Sequence, residues 1–188
     1  MSIHKIKQLI MRGNLITLMP MNIEKHSEGY YKVSQDENIH KHVGNTAPKN
    51  LQEIHELLKL YDEYFINWMI ILNSTQEVIG IMRLGKPIKD DGLIVAGESQ
   101  RLHSDYWRKG HMKEAKKLFY EHVFNDLEVD ILYADVWEGN TNSMKSLENS
   151  GYKMVEEQTD IFKKTGQSIS KYIYTLTKSD YLSLGRFM

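Results

Sequence analysis

Two rhythms of apolar residues alternate along this chain. Residues 65–72 and 77–84 are rich in β-branched and aromatic side chains at period two, with the turn Asn73-Ser-Thr-Gln76 between them. They read as a hairpin with Val78, Gly80, Met82 and Leu84 on one face. Ahead of it, residues 14–19 predict a strand stopped by Pro20. Ile23, His26, Tyr30 and Val33 predict a helix capped by Asn22, and Leu51, Ile54, Leu57, Leu58 and Tyr61 a stronger helix opened by Asn50. Residues 35–50 are polar and poorly patterned, a loop with a short helical piece. After a loop at 86–92, residues 93–102 form a strand, and Met112, Ala115, Leu118, Phe119, His122 and Val123 mark a helix. Residues 130–137 are a strand with Leu132, Ala134 and Val136 on one side. A helix over 141–149 follows, with Gly151 just past its end. Strands over 152–162 and 168–177 flank Lys164-Thr-Gly-Gln167, and the tail from Lys178 has no clear pattern.

The order βααβββαβαββ predicts an α/β (α+β) fold: a mixed, mostly antiparallel central sheet of about six to seven strands flanked by helices. Residues 1–188 are expected to form a single domain. Hydrophobic content of 41% and charged content of 26% suit an ordinary globule. A formal charge of -1 argues against nucleic acid as a partner. With no cysteine, disulfide scaffolds, thiolate metal sites and cysteine nucleophiles are excluded. The N-terminus lacks an apolar core followed by a cleavage site, and the longest apolar run, 68–72, is too short to cross a bilayer. A cytoplasmic protein without membrane contact is expected.

The chemistry concentrates in Asp105-Tyr-Trp-Arg-Lys-Gly-His-Met-Lys-Glu-Ala115, between a strand and a helix. Gly110 stands at the helix entrance, with Arg108, Lys109, Lys113 and Lys116 nearby. A helix N-terminus offers unpaired N–H groups and the positive end of the macrodipole, which suits phosphate oxygens. Those residues alone also fit a plain connector with a solvated basic rim. His40-Lys-His42 lacks a matching third ligand, so no metal is expected. Tyr30, Tyr31, Tyr61, Tyr64 and Trp68 read more simply as core than as a pocket lining. Lys113, Lys116 and Lys117 read as a solvated helix face.

Two segments carry a resemblance. The stretch from Leu102 to Ala115 and that from Asn140-Thr-Asn-Ser143 to Leu147-Glu-Asn-Ser-Gly-Tyr152 resemble the GCN5-related N-acetyltransferases, and most closely their ribosomal-protein N-terminal acetyltransferase branch. Of the family's broader turn pattern only Gly110 is kept. Trp107 and Met112 stand at two other pattern positions, Arg108 replaces a frequent glycine and Ser104 a proline. A positive φ at Arg108 would be strained. The resemblance implies acetyl-CoA as co-substrate and a primary-amine acceptor attacking it directly in a ternary complex. Its pyrophosphate would lie on the N–H groups of Arg108, Lys109, Gly110, His111 and Met112, beside Trp107. Gln100 and Leu102 would bond the pantetheine arm, the Leu102 N–H polarising the thioester carbonyl. Asn140 would bond the pantetheine amide or simply cap its helix. Glu98, on the strand face of Gln100 and Leu102, is the candidate base, acting directly or through water. Leu147 stands where many relatives carry an acidic tyrosine, and Ser143 is the candidate that the closer branch suggests. Asp135 and Tyr133 are further options.

For the acceptor, the branch favours a protein N-terminus. Polyamines or aminoglycoside-like amines would prefer an acidic cleft, to which Asp36, Glu37, Asp62 and Glu63 could contribute. The alternative is a catalytically degenerate CoA-binding regulatory or interaction module. A monomer and a homodimer are equally compatible with the sequence.

Overall fold

The computed structural model of the protein describes residues 8–43 and 46–185, so most of the N-terminal stretch read above for a leader lies outside the described residues. The chain runs β1 (Met11–Arg12), β2 (Ile16–Pro20), α1 (Ile23–Ser34), α2 (Glu37–His40), α3 (Leu51–Tyr64), β3 (Phe65–Leu72), β4 (Val78–Gly85), β5 (Ile88–Asp90) and β6 (Leu93–Leu102). It continues through a 3₁₀ turn (Ser104–Tyr106), α4 (His111–Asn125), β7 (Ile131–Trp137), α5 (Thr141–Glu148), β8 (Lys153–Phe162), β9 (Gln167–Thr177) and α6 (Lys178–Leu184).

A nine-stranded sheet has the order β1-β2-β3-β4-β6-β7-β9-β8, with β5 added alongside β6. Every pairing is antiparallel except β6 with β7. The mixed, mostly antiparallel sheet is as expected, but nine strands exceed the six to seven anticipated. The additions are β1 and β5, the latter inside the stretch read as a loop, and α6 replaces the unpatterned tail.

The sheet separates two cores. On one face, Leu18, Trp68, Met82, Leu84, Leu132 and Val136 pack against Ala115, Phe119 and Val123 of α4. On the other, Met69, Ile71 and Ile81 pack against Tyr30 and Val33 of α1 and Ile54, Leu58 and Tyr61 of α3. The face expected for β4 holds for Gly80, Met82 and Leu84 but not Val78, which packs with the second core. A register shift between Ile70 and Ile71 inserts an extra β4 residue there, turning Val78 to the opposite side.

Helix starts follow the sequence signals. Asn22 accepts from Lys25 N at 2.9 Å and Asn50 from Glu53 N at 3.0 Å. Glu114 binds α4 to the start of β2 by accepting from the backbone N–H groups of Asn14, Leu15 and Ile16 at 2.8–2.9 Å. Among the described residues, no helix is long and apolar enough to cross a membrane.

Candidate active site

The site begins where β6 changes partners. Val95, Ala96 and Gly97 pair with Ile131, Leu132 and Tyr133, whereas Glu98 to Leu102 pair with β4. Beyond Tyr133, β7 continues to Trp137 along β9. The two parallel strands therefore splay apart, opening a wedge with its vertex at Gly97 and Tyr133. Ile94 O accepts Asp130 N on the β7 side, while His103 N donates to Ile79 O on the β4 side. Strand alternation thus aims the backbone polar groups of Glu98, Gln100 and Leu102 into the wedge. Such groups are suited to an amide-rich ligand lying between the strands.

At the open end of β6 the chain turns into α4. The Trp107 indole N–H donates to Leu102 O at 2.7 Å, so this side chain braces the turn against the strand. Arg108 has φ 59 and Gly110 φ 88. Glycine takes that conformation at little cost, whereas Arg108 carries the strain anticipated for it. Among the described residues no side chain caps α4, leaving its first N–H groups open to an anion. Lys109 and Lys113 are exposed beside them. His111 is buried, with Nδ1 3.2 Å from Tyr106 O, and Met112 packs against the core.

Lys116 does not belong to this basic rim or to a solvated face. It is 4% exposed, and its Nζ donates to Ser146 O and Oγ at 3.1 Å and to Ser150 Oγ at 3.2 Å. That joins α4 to α5. The same buried layer holds Glu98, which shares a sheet face with Gln100 and Leu102 but is covered by α4. Tyr120 Oη donates to Glu98 Oε1 at 3.2 Å, and the Tyr152 hydroxyl faces the same carboxyl. Burial raises the proton affinity of Glu98, against the opposing pull of Lys116, Tyr152 and Tyr120. Burial correspondingly lowers the Lys116 pKa, with Glu98 pulling it back up. The sequence reading gave Tyr120 and Tyr152 no role in the site and placed Lys116 by the basic turn and on a solvated helix face. Their one trace is Lys116 lying at the same helical spacing as Tyr120 and Val123.

Asn140 Oδ1 accepts Ser143 N at 3.3 Å, so Asn140 caps α5. Ser143 is half-buried in the first turn of that helix. Gln100 Oε1 is buried on the α4 side with no hydrogen-bond partner among the described residues.

The opposite face of the wedge carries Ser99 and Arg101 from β6 and Tyr133, Asp135 and Trp137 from β7. Tyr133 lies so close over Gly97 that a Cβ there would meet its Cζ at 3.0 Å. Across the mouth runs α2. Asp36 Oδ2 accepts Ser104 N at 2.6 Å, Asn38 Nδ2 donates to Ser104 Oγ at 3.1 Å, and Lys164 Nζ donates to His40 O. The helix therefore spans from the end of β6 to the turn after β8. Asp36 is spent on this anchor, and His40 Nε2 lies 2.7 Å from Ser34 O. Tyr30, Tyr61 and Trp68 are core residues, as expected, while Tyr64 is exposed.

The fold that carries this arrangement has counterparts among known proteins. The family model described as the acetyltransferase (GNAT) domain matches residues 16–153. The chain belongs to the GNAT family. An uncharacterized N-acetyltransferase, p20, from Bacillus licheniformis is 23% identical over 171 residues, covering 88% of this chain and 94% of that protein. The solved GCN5-related N-acetyltransferase from Brucella melitensis superposes with a TM-score of 0.84 at 20% identity, covering 97% of this chain and 84% of that one. The ribosomal-protein-S5-alanine acetyltransferase from Vibrio fischeri superposes with a TM-score of 0.72 at 14% identity, covering 93% and 99%. This GNAT chain is an acetyl-CoA-dependent acyltransferase.

Proposed function

We propose that this GNAT enzyme passes the acetyl group of acetyl-CoA to a primary amine by direct attack within a ternary complex. The observation that carries this reading is the wedge beyond Gly97, continuous with the uncapped N-terminus of α4. Acetyl-CoA supplies the activated thioester. Its pyrophosphate would be held by the N–H groups of Arg108, Lys109, Gly110, His111 and Met112, with Lys109 adding screened charge. Gln100 and Leu102 would bond the pantetheine arm, and the Leu102 N–H would polarise the thioester carbonyl. Asn140 already gives its carbonyl oxygen to its helix, leaving its amide N–H groups for the same arm. Trp107 serves by holding the turn.

Two proton movements accompany the transfer: the ammonium loses one and the departing sulfur gains one. Burial raises the proton affinity of Glu98, the direction a general base requires, and its strand position borders the vertex. Its carboxyl is covered and its strand position is about 13 Å from that of Leu102, so we assign the transfer to a chain of water molecules. Ser143 would hydrogen-bond the departing thiolate from α5. The branch resemblance favours a protein N-terminus as acceptor.

The test is release of free CoA from acetyl-CoA in the presence of N-terminal peptides and small amines. Turnover on at least one amine is expected. Tight CoA binding without turnover on any amine would instead identify a binding module.

A further inference from the structure

Ser99 and Arg101 point away from α4, and Arg83 joins them on that face of the sheet. Arg83 pairs with Ser99 in register and Arg101 with Ile81. The Arg83 guanidinium lies 4.1 Å from the Tyr61 ring centre and 5.0 Å from that of Phe65. The Arg101 guanidinium neighbours the Tyr30 hydroxyl, which in turn neighbours Tyr61. Two guanidiniums are therefore gathered around two tyrosines and a serine, next to the wedge.

Around Arg83 and Ser99 the described residues supply no compensating negative charge. Burial, followed by the neighbouring Tyr61, pushes the Tyr30 hydroxyl up to about 12 despite both arginines, so it stays neutral. No carboxylate forms an ion pair with Arg83 among the described residues. Arg83 is 9% exposed, and its buried Nε–H has no hydrogen-bond acceptor among those residues. Ser99 Oγ is likewise buried without a partner among them. Buried guanidinium donors are costly unless an anion completes them, and a planar fork of N–H groups matches carboxylate or phosphate oxygens.

We propose that Arg83, Ser99 and Arg101 form an oxyanion subsite for the acceptor, so that the preferred amine carries a carboxylate or phosphate group. This rests on the acetyl-transfer reading above and narrows its substrate class. Ser99 and Arg101 are half-buried on the strand that borders the wedge, and the span between them is about 7 Å at the usual strand rise. The amine attacks the carbonyl held at the Leu102 N–H, one residue from Arg101 along β6, so the amine and an anion at Arg101 belong to one small molecule or to the first residues of one peptide. Polyamines and aminoglycosides, which are polycations, would be repelled by the same pair of charges.

The test uses matched acceptors that differ only in the anion: an amino acid and its amide, phosphoethanolamine and ethanolamine, and peptides beginning Ser-Glu and Ser-Gln. The anionic member of at least one pair should have kcat/KM higher by about tenfold. Arg101→Gln should erase that preference, and Ser99→Asp, which adds a carboxylate at a half-buried position, should reverse it. The three pairs distinguish a small carboxylate, a phosphate and an acidic peptide as the source. A second measurement does not depend on turnover. With the donor cradle filled by CoA, millimolar inorganic phosphate should raise the melting temperature of the wild type but not of Arg101→Gln. If no amine is acetylated, the acetyl-transfer reading fails and the phosphate shift alone judges the subsite. Equal kcat/KM within every pair, or a phosphate shift that survives Arg101→Gln, would overturn the proposal.

Discussion

The Tyr120 hydroxyl donates to Glu98 Oε1 at 3.2 Å, linking the middle of α4 to the first strand residue beyond the wedge vertex. With Tyr152 and Lys116 alongside, a potential proton acceptor is embedded in a layer that also joins α4 to α5. The proposed donor site on α4 and the proposed base Glu98 therefore share one packed unit.

That unit gives stability a pH dependence. Burial holds the Glu98 pKa above its ordinary 4.5, so over the window just above 4.5 the folded chain keeps a proton that the unfolded chain has lost. Stability from this group is full below that window and is lost as pH rises through the folded pKa. Glu98→Gln retains an oxygen for Tyr120 and removes the titration. Melting temperatures from about pH 5 to pH 8 should decline less in the mutant than in the wild type. Parallel curves would show that Glu98 does not titrate in this range.

Arg108 sits at φ 59, in the left-handed region where a side chain is strained. Arg108→Gly should relieve about 1 kcal/mol of that strain, partly offset by the greater entropy of glycine in the unfolded chain. Denaturant melts of the free protein should move in the stabilising direction. Acetyl-CoA affinity should fall mainly at low salt, where the lost exposed charge matters. A loss of affinity that is independent of salt would instead assign Arg108 a direct, desolvated contact.

Asp36 holds α2 across the mouth of the wedge through Ser104. Burial pushes its carboxyl up, but the backbone N–H groups of Ser104 and Asn38, with the Ser104 hydroxyl and His103, outweigh this and leave it below its ordinary 3.8. The anchor is therefore complete above 3.8 and is lost as pH falls through the lower folded value. Asp36→Ala should raise the KM for the amine by about tenfold, the equivalent of one charge-assisted hydrogen bond. The Kd for acetyl-CoA should change much less. Equal effects on both would mean that the strap also shapes the donor turn.

Much of this fold was legible because it is written locally. The hairpin of β3 and β4, the capped helices α1 and α3, and the strand, turn and helix around Gly110 all follow from periodicity and capping residues. The omissions have physical reasons. β5 is exposed at all three of its residues, so it carries no alternation, and β1 is two residues long. α6 is short and starts from Thr177, whose hydroxyl accepts Asp180 N, a cap hidden at the end of a strand. The face of Val78 depends on a bulge that only its partner strand reveals. At the site, Gly110 and the reversed backbone at Arg108 were visible in the motif. The burial of Lys116 depends on Ser146 and Ser150, some thirty residues away, and Asp36 meets Ser104 across 68 residues. No local pattern encodes such contacts.

The central claim is that acetyl-CoA lies in the wedge with its pyrophosphate on the α4 N-terminus. Residue-resolved amide hydrogen exchange, with and without acetyl-CoA, tests it most directly. The N–H groups of Gln100, Leu102 and Arg108 through Met112 should gain protection on binding, while those of β8 and α6 stay unchanged. Protection that bypasses Arg108 to Met112, or that appears chiefly on β8 or α6, would contradict it.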